Sequence, residues 1–384
     1  MSAPASTRRT RICLALLTLA CGVGSSASAA EVTDLPPERG ALVRLSYEGT
    51  HTTGGLEEEG ERISERRVTR HDLFWQAEVS PARGLAANIG LEHSAGFTFR
   101  YPDARPMIFE PTTGAGTYLF SRPNGDAEVD AAGVTGVWLG LAATPYSELF
   151  DKQHLATWRF DVALRPGSPK RNLWTAKNGK RGPAPGGTGI RLAGAFSRDL
   201  GVGNPYMQFE YLHEGAVTVD LEDEEGKVYA RRVELKPAST VEVTGGVEIV
   251  AWRQAETGQR ASADLSLTAG YRTWQDVGSG VLLPNVLDGS RQIAITEGEA
   301  IYVRGRIGAD VHAMDAVRTR LGATLGWQTP TRPEHVYQVT TTPGTVTIGW
   351  FLTVEGRAPF SDLFGAAESP PPVAPDPTTP TAPE

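Results

Sequence analysis

The chain has 384 residues, with 37 Lys and Arg against 45 Asp and Glu and a formal net charge of −8, a balance that points away from nucleic acid as a partner. Its two cysteines, Cys13 and Cys21, both lie in the first thirty residues, so the rest of the chain has no disulfide framework and no thiolate chemistry. Beyond residue 30 no stretch approaches the roughly 18 continuous apolar residues of a membrane helix, which excludes helical spans but not membrane strands.

Residues 1–30 read as a secretory leader. Arg8, Arg9 and Arg11 precede the short apolar run Ile12–Ala20, and Ala27-Ser28-Ala29 supplies an A-x-A cleavage pattern. Thr18-Leu19-Ala20 before Cys21 is a poor lipobox, so cleavage rather than lipidation is expected. Residues 31–40 are then a short periplasmic N-terminal segment. From residue 41 the chain alternates. Ala41, Val43, Leu45 and Tyr47 face away from Arg44, Ser46 and Glu48, as a strand with one polar and one apolar face requires.

Weaker alternation covers 67–79 and 85–99, and 133–144 is strand-like without a clear facing. Trp158, Phe160, Val162 and Leu164 alternate with Arg159, Asp161, Ala163 and Arg165. The segments 188–197, 205–214 and 240–252 follow. Ala263, Leu265, Leu267, Ala269 and Tyr271 alternate with Asp264, Ser266, Thr268 and Gly270. The contrast sharpens in Ile301–His312, where Val303, Ile307 and Val311 oppose Arg304, Arg306, Asp310 and His312. In Val317–Gln328 it recurs with Arg318 and Arg320 on one face, and it ends in Val346–Val354.

About twelve strands of roughly ten residues emerge, the length of a tilted membrane strand. Short connections (Ser80–Gly84, Pro145–His154, Arg198–Asn204, Gln254–Arg260, Ala313–Ala316) alternate with long ones: His51–Arg66, Tyr101–Val129, Pro166–Gly187, Gly215–Ser239, Gln275–Glu297 and Thr329–Pro343. The expectation is an all-β, up-and-down antiparallel transmembrane barrel over 41–356, in the outer membrane of a Gram-negative cell. Its short turns are periplasmic and its long loops extracellular. Residues 357–384, Pro/Thr-rich from Glu368, read as a disordered periplasmic tail.

The last strand, Thr347-Ile348-Gly349-Trp350-Phe351-Leu352-Thr353-Val354, resembles the assembly signal of outer-membrane proteins. Thr347, Gly349, Leu352 and Val354 take its polar, glycine and two hydrophobic places. The resemblance implies the outer-membrane assembly machinery as a partner. More loosely, Gly133 to Glu214 is similar to transporters of the phenol-degradation MetA type and to FadL-like barrels. The shared features are a Gly-rich strand, a short turn, a Trp-containing strand, a loop and then Gly187-Thr188-Gly189 opening the next strand. That likeness implies passage of small compounds.

Parity places Arg272, Arg304, Arg306, Arg318 and Arg320 inside one arc, with Arg159, Arg165 and Arg191 from earlier strands. Glu48, Glu78, Glu92, Glu210, Glu242 and Glu248 face them from elsewhere. Two readings stay open: a polar pore with opposed charges that select permeants, or a salt-bridge network plugging a narrow barrel. Pairing through the Ala313–Ala316 turn is expected to bring Arg304 and Arg306 level with Arg318–Arg320. The basic loop Pro166–Gly187 is solvated or meets anionic lipopolysaccharide. No G-x-S-x-G, H-E-x-x-H or phosphate-loop pattern is present, so no enzyme, catalytic residue, metal or cofactor is expected. The functional expectation is an outer-membrane channel or transporter for small solutes. Its alternatives are a plugged barrel anchoring an envelope complex through the tail and a periplasmic partner, a port for polysaccharide export, and a soluble secreted β-sandwich.

Overall fold

The computed structural model describes residues 33–36, 38–58, 61–101, 127–148, 156–167, 180–181, 187–222, 228–235, 237–254, 257–273, 282–284, 291–293, 298–314, 316–330, 340–341 and 344–359. Twelve strands build one closed wall: β1 Gly40–Glu58, β2 Glu61–Ala82, β3 Leu85–Tyr101, β4 Ala127–Tyr146, β5 Thr157–Arg165, β6 Gly189–Ser197, β7 Gly203–Glu214, β8 Thr240–Gln254, β9 Gln259–Arg272, β10 Ala300–Met314, β11 Val317–Gln328 and β12 Thr345–Pro359. Each pairs antiparallel with its chain neighbours, and β12 returns to β1 with Leu352 opposite Tyr47 and Gly356 opposite Val43. Closure leaves no strand edge around the ring, the only way a sheet can cross hydrocarbon with its backbone hydrogen bonds met.

The wall is inside-out relative to a soluble protein. Outward residues are large, apolar and exposed, with Leu141 at 62%, Leu325 at 61% and Trp75 at 48%. Inward ones are charged and buried, with Glu78 and Asp310 at 1% and Glu248 at 3%. A soluble β-sandwich would bury the apolar faces against each other, so that alternative is excluded. The exposed apolar belt is the surface of a bilayer protein, and the protein is an outer-membrane barrel.

Inside, glycine and large aromatics are matched across strands. Tyr206 lies opposite Gly246, Tyr302 opposite Gly270, Phe351 opposite Gly322, and Trp138 opposite Gly90. A Cβ at Gly246, Gly270 or Gly322 would overlap the facing ring. These glycines therefore make room for rings that fold flat over the neighbouring strand. At the turn end, Gly84 and Gly258 take φ of +72° and +66°, which closes the tight β2–β3 and β8–β9 connections at little steric cost.

Three expectations need correction. His51–Arg66 is not a long loop: β1 and β2 continue as one hairpin, with Thr52 opposite Val68 and Glu58 opposite Glu61. Above the membrane both faces are wet, so the strands lose their apolar alternation without losing their ladder. The last strand runs to Pro359, so Arg357 belongs to the wall and not to the tail. The loops Gly215–Ser239 and Gln275–Glu297 carry small hairpins of their own, Val217–Glu222 with Val228–Leu235 and Leu282–Pro284 with Arg291–Ile293. The expected leader 1–30, the tail beyond 359 and most of Tyr101–Val129 lie outside the described residues.

Candidate functional site: a two-layered charged lumen

The inward faces of β1–β12 form two layers. The one beside the short turns is a dense ion-pair network. On one side Arg159 of β5 donates to Asp161 at 2.8 Å and to Glu78 of β2 at 3.2 Å. Glu355 of β12 accepts from Arg44 of β1 at 2.7 Å and from Arg357 at 2.5 Å. On the other side Glu248 of β8 pairs with Arg260, accepts from Ser262 at 2.7 Å and lies 3.9 Å from Arg318. The Arg318 Nε donates to both oxygens of Asp310 at 2.8 and 2.9 Å, while Asp264 joins Arg320 and accepts from Tyr206 at 2.8 Å. Apart from the part-buried Arg44, Asp161 and Arg357, these groups are almost wholly buried, so each charge needs its partner.

The second layer, toward the long loops, is more open. Arg191 of β6 lies 3.3 Å from Glu92 and 3.4 Å from Glu210. Arg165 and Arg191 both lie over the Trp138 ring, their guanidinium carbons 5.1 and 4.6 Å from its centroid, and Arg165 also pairs with Glu214. Glu242 accepts from Tyr302 at 2.5 Å and from Arg304 at 3.3 Å. Arg306 lies over the Phe351 ring at 3.5 Å. Between these groups lies a polar cavity of about 180 Å³. Glu48, Glu210 and Glu242 supply its anionic lining, Arg304, Arg306 and Arg320 its cationic lining, and Thr244, Thr268 and Thr324 hydroxyls stand between. A larger concavity, about 830 Å³, is a dent in the lipid-facing wall bordered by Gly245, Leu267, Gly305 and Leu325. No convergent set of polar groups marks it as a site.

All eleven lumen candidates face inward, but their grouping differs from expectation. Arg306 lies opposite Thr324 and Arg304 opposite Gly326, whereas Arg318 and Arg320 face His312 and Asp310. The tight β10–β11 turn fixes this register, so two arginines sit in the upper layer and two in the lower, and no like-charge ladder forms. Ion pairs join strands one to three apart rather than facing arcs: Arg159 with Glu78, Arg191 with Glu210, Arg304 with Glu242. Arg272 faces the lumen at the upper end of β9, half-buried. Missed as site residues were Asp264, Asp310, Arg260 and Glu355. Asp264 and Asp310 stood on the polar parity in plain view, and their partners, Arg320 two strands away and Arg318 on the next strand, were not readable from it. In the expected assembly signal, Thr347 and Gly349 point inward and Leu352 and Val354 outward. Gly349 has a packing reason of its own, since a Cβ there would stand 2.5 Å from Thr324 Oγ1 and 2.9 Å from Gly49 O.

No protein-family model matches the sequence, and no curated protein does. Among solved structures the chain is similar to the COG4313 outer membrane channel from Pseudomonas putida F1, at 11% identity and a TM-score of 0.49 over 86% of this chain and 100% of that one. It is also similar to the transport unit of the autotransporter AIDA-I from Escherichia coli (10% identity, TM-score 0.42, 90% and 96% covered). A third is the TodX monoaromatic hydrocarbon channel deltaS2 mutant (11%, 0.40, 89% and 98%). No property of those proteins is carried over to this chain. The chain is a twelve-stranded outer-membrane β-barrel on the evidence of its own strand pairing and its apolar exterior.

Proposed function

We propose that this barrel is a channel for small polar solutes, and that the split-charge upper chamber is where they are selected. The observation that carries the reading is the chamber itself: carboxylates on β1, β7 and β8 and guanidiniums on β10 and β11 border one enclosed polar space of about 180 Å³. Fixed opposite charges around a narrow path set a transverse field, which orients dipolar solutes and favours one sign of small ion. Arg304 and Arg306 are proposed as the selectivity pair, with Glu210 and Glu242 opposing them. Residues 1–30 are proposed as the export leader and Thr347, Leu352 and Val354 as the assembly contact. The basic segment around Lys180–Arg181 and the tail beyond Pro359 are proposed to meet lipopolysaccharide and a periplasmic partner.

The test is reversal potential in asymmetric salt for the purified protein in a planar bilayer, compared with Arg304→Gln combined with Arg306→Gln. Anion preference should fall in the double variant with the unfolding midpoint nearly kept. A second reading is favoured by a specific observation, the buried ion-pair layer at the turn end: a closed barrel that anchors an envelope complex. Silence in the bilayer of every form tested, the parent and the double variant among them, would decide for the anchor.

A further inference from the structure

We infer that residues Thr33 to Pro36 form a removable strap that gates the periplasmic mouth, an inference that rests on the channel reading above. The strap does not follow the wall. Thr33 and Asp34 are buried inside the mouth, at 1% and 4% exposure, and touch three strands. The Thr33 and Ser197 hydroxyls, the latter on β6, lie 2.5 Å apart. The Asp34 carbonyl accepts from Arg159 of β5, and its carboxylate accepts from Arg357 of β12 at 2.5 Å. Between β12 and β5 the wall passes through β1 to β4, so Asp34 reaches across the barrel and not along it.

The attachments are those of a latch. The backbone is tied to the wall at Arg39, whose N–H donates to Ser80 O at 2.8 Å. There the chain turns into β1 through a φ of +54° at Arg39, a conformation few non-glycine residues adopt, and this marks the pivot. Charge also permits departure. The cluster that Asp34 enters holds Arg44, Arg159 and Arg357 with Glu78, Asp161 and Glu355. These are three cations and three anions, so Asp34 is the surplus charge and its removal leaves the wall balanced. What the strap covers (the Ser197 hydroxyl and two guanidiniums) is polar surface that water serves as well.

The barrel has no cysteine of its own, and with the two hydroxyls 2.5 Å apart, cysteines at these positions bring their sulfurs within reach of each other. Thr33→Cys with Ser197→Cys should therefore lock the strap when oxidised and free it when reduced. Planar-bilayer current is expected to rise several-fold on reduction and to fall again on reoxidation of the same sample, which removes any folding difference. Asp34→Ala should raise the open fraction several-fold over the parent with heat-modifiable gel migration unchanged. Equal currents in oxidised, reduced and Asp34→Ala protein would overturn the strap as a gate while leaving the channel standing. If no form conducts, including the reduced pair and Asp34→Ala, the gate and the channel reading fall together.

Discussion

At the residue scale, the buried ion pairs that the strands make with one another at the turn end of the lumen cannot lose one partner without stranding the other. Glu248 sits at 3% exposure between Arg260, Arg318, Ser262 and Asn204. Glu248→Ala leaves two buried guanidiniums facing each other, and the expected cost is about 3–5 kcal/mol in urea unfolding from detergent or liposomes. Glycine positions divide by what faces them. A Cβ at Gly322 would overlap Ile307 O and the Phe351 ring, whereas one at Gly245 meets nothing within 4 Å. Gly322→Ala should destabilise by about 1–3 kcal/mol, and Gly245→Ala should stay within about 0.5 kcal/mol of the parent. Similar values for the two would mean the ring of Phe351 is not packed over β11 as seen.

At the element scale, parity is the test. In β11 the outward residues Leu321 and Leu325 are exposed, and the inward Arg318, Arg320 and Thr324 are buried. Leu321→Arg should cost about 2–4 kcal/mol in a bilayer, where the charge meets hydrocarbon. The same substitution should cost far less in a polar-surfaced detergent that admits water to the belt. A cost independent of the surrounding phase would mean Leu321 does not face lipid. The element scale also shows why the arginine ladder expected from parity fails. Parity says which side a residue faces, while register says which neighbour it meets, and register is set by the turn. Met314 lies opposite Val317, and a one-residue register shift between Met314 and His312 then brings Arg306 opposite Thr324.

At the scale of the whole molecule, the twelve-stranded wall predicts resistance to detergent. The protein should fractionate with the outer membrane and migrate faster unboiled than boiled in detergent gels, because closure makes the barrel unfold as a unit. Recovery from the soluble periplasm without detergent would remove the membrane assignment. The wall is also uneven: β2 has 22 residues while β5 and β6 have nine each. Nine is about the minimum to cross a bilayer, so β1–β4 rise above the membrane on one side as a tall screen.

The sequence by itself determined the fold class, the strand count and the facing of every well-patterned strand. A barrel wall between lipid and a polar lumen forces a period of two, and that period survives in Trp158–Leu164 and Ile301–His312 without any tertiary information. Where the constraint lapses the reading lapsed with it: His51–Arg66 lies in the part of the wall with water on both sides, and no pattern is imposed there. Tertiary structure alone decided which charges meet. The Arg320–Asp264 pair spans 56 residues and Arg159–Glu78 spans 81, because ring closure and strand tilt bring together side chains two or three strands apart. It alone placed Asp34 as well, since a segment that leaves the wall and enters the lumen has no period to announce it.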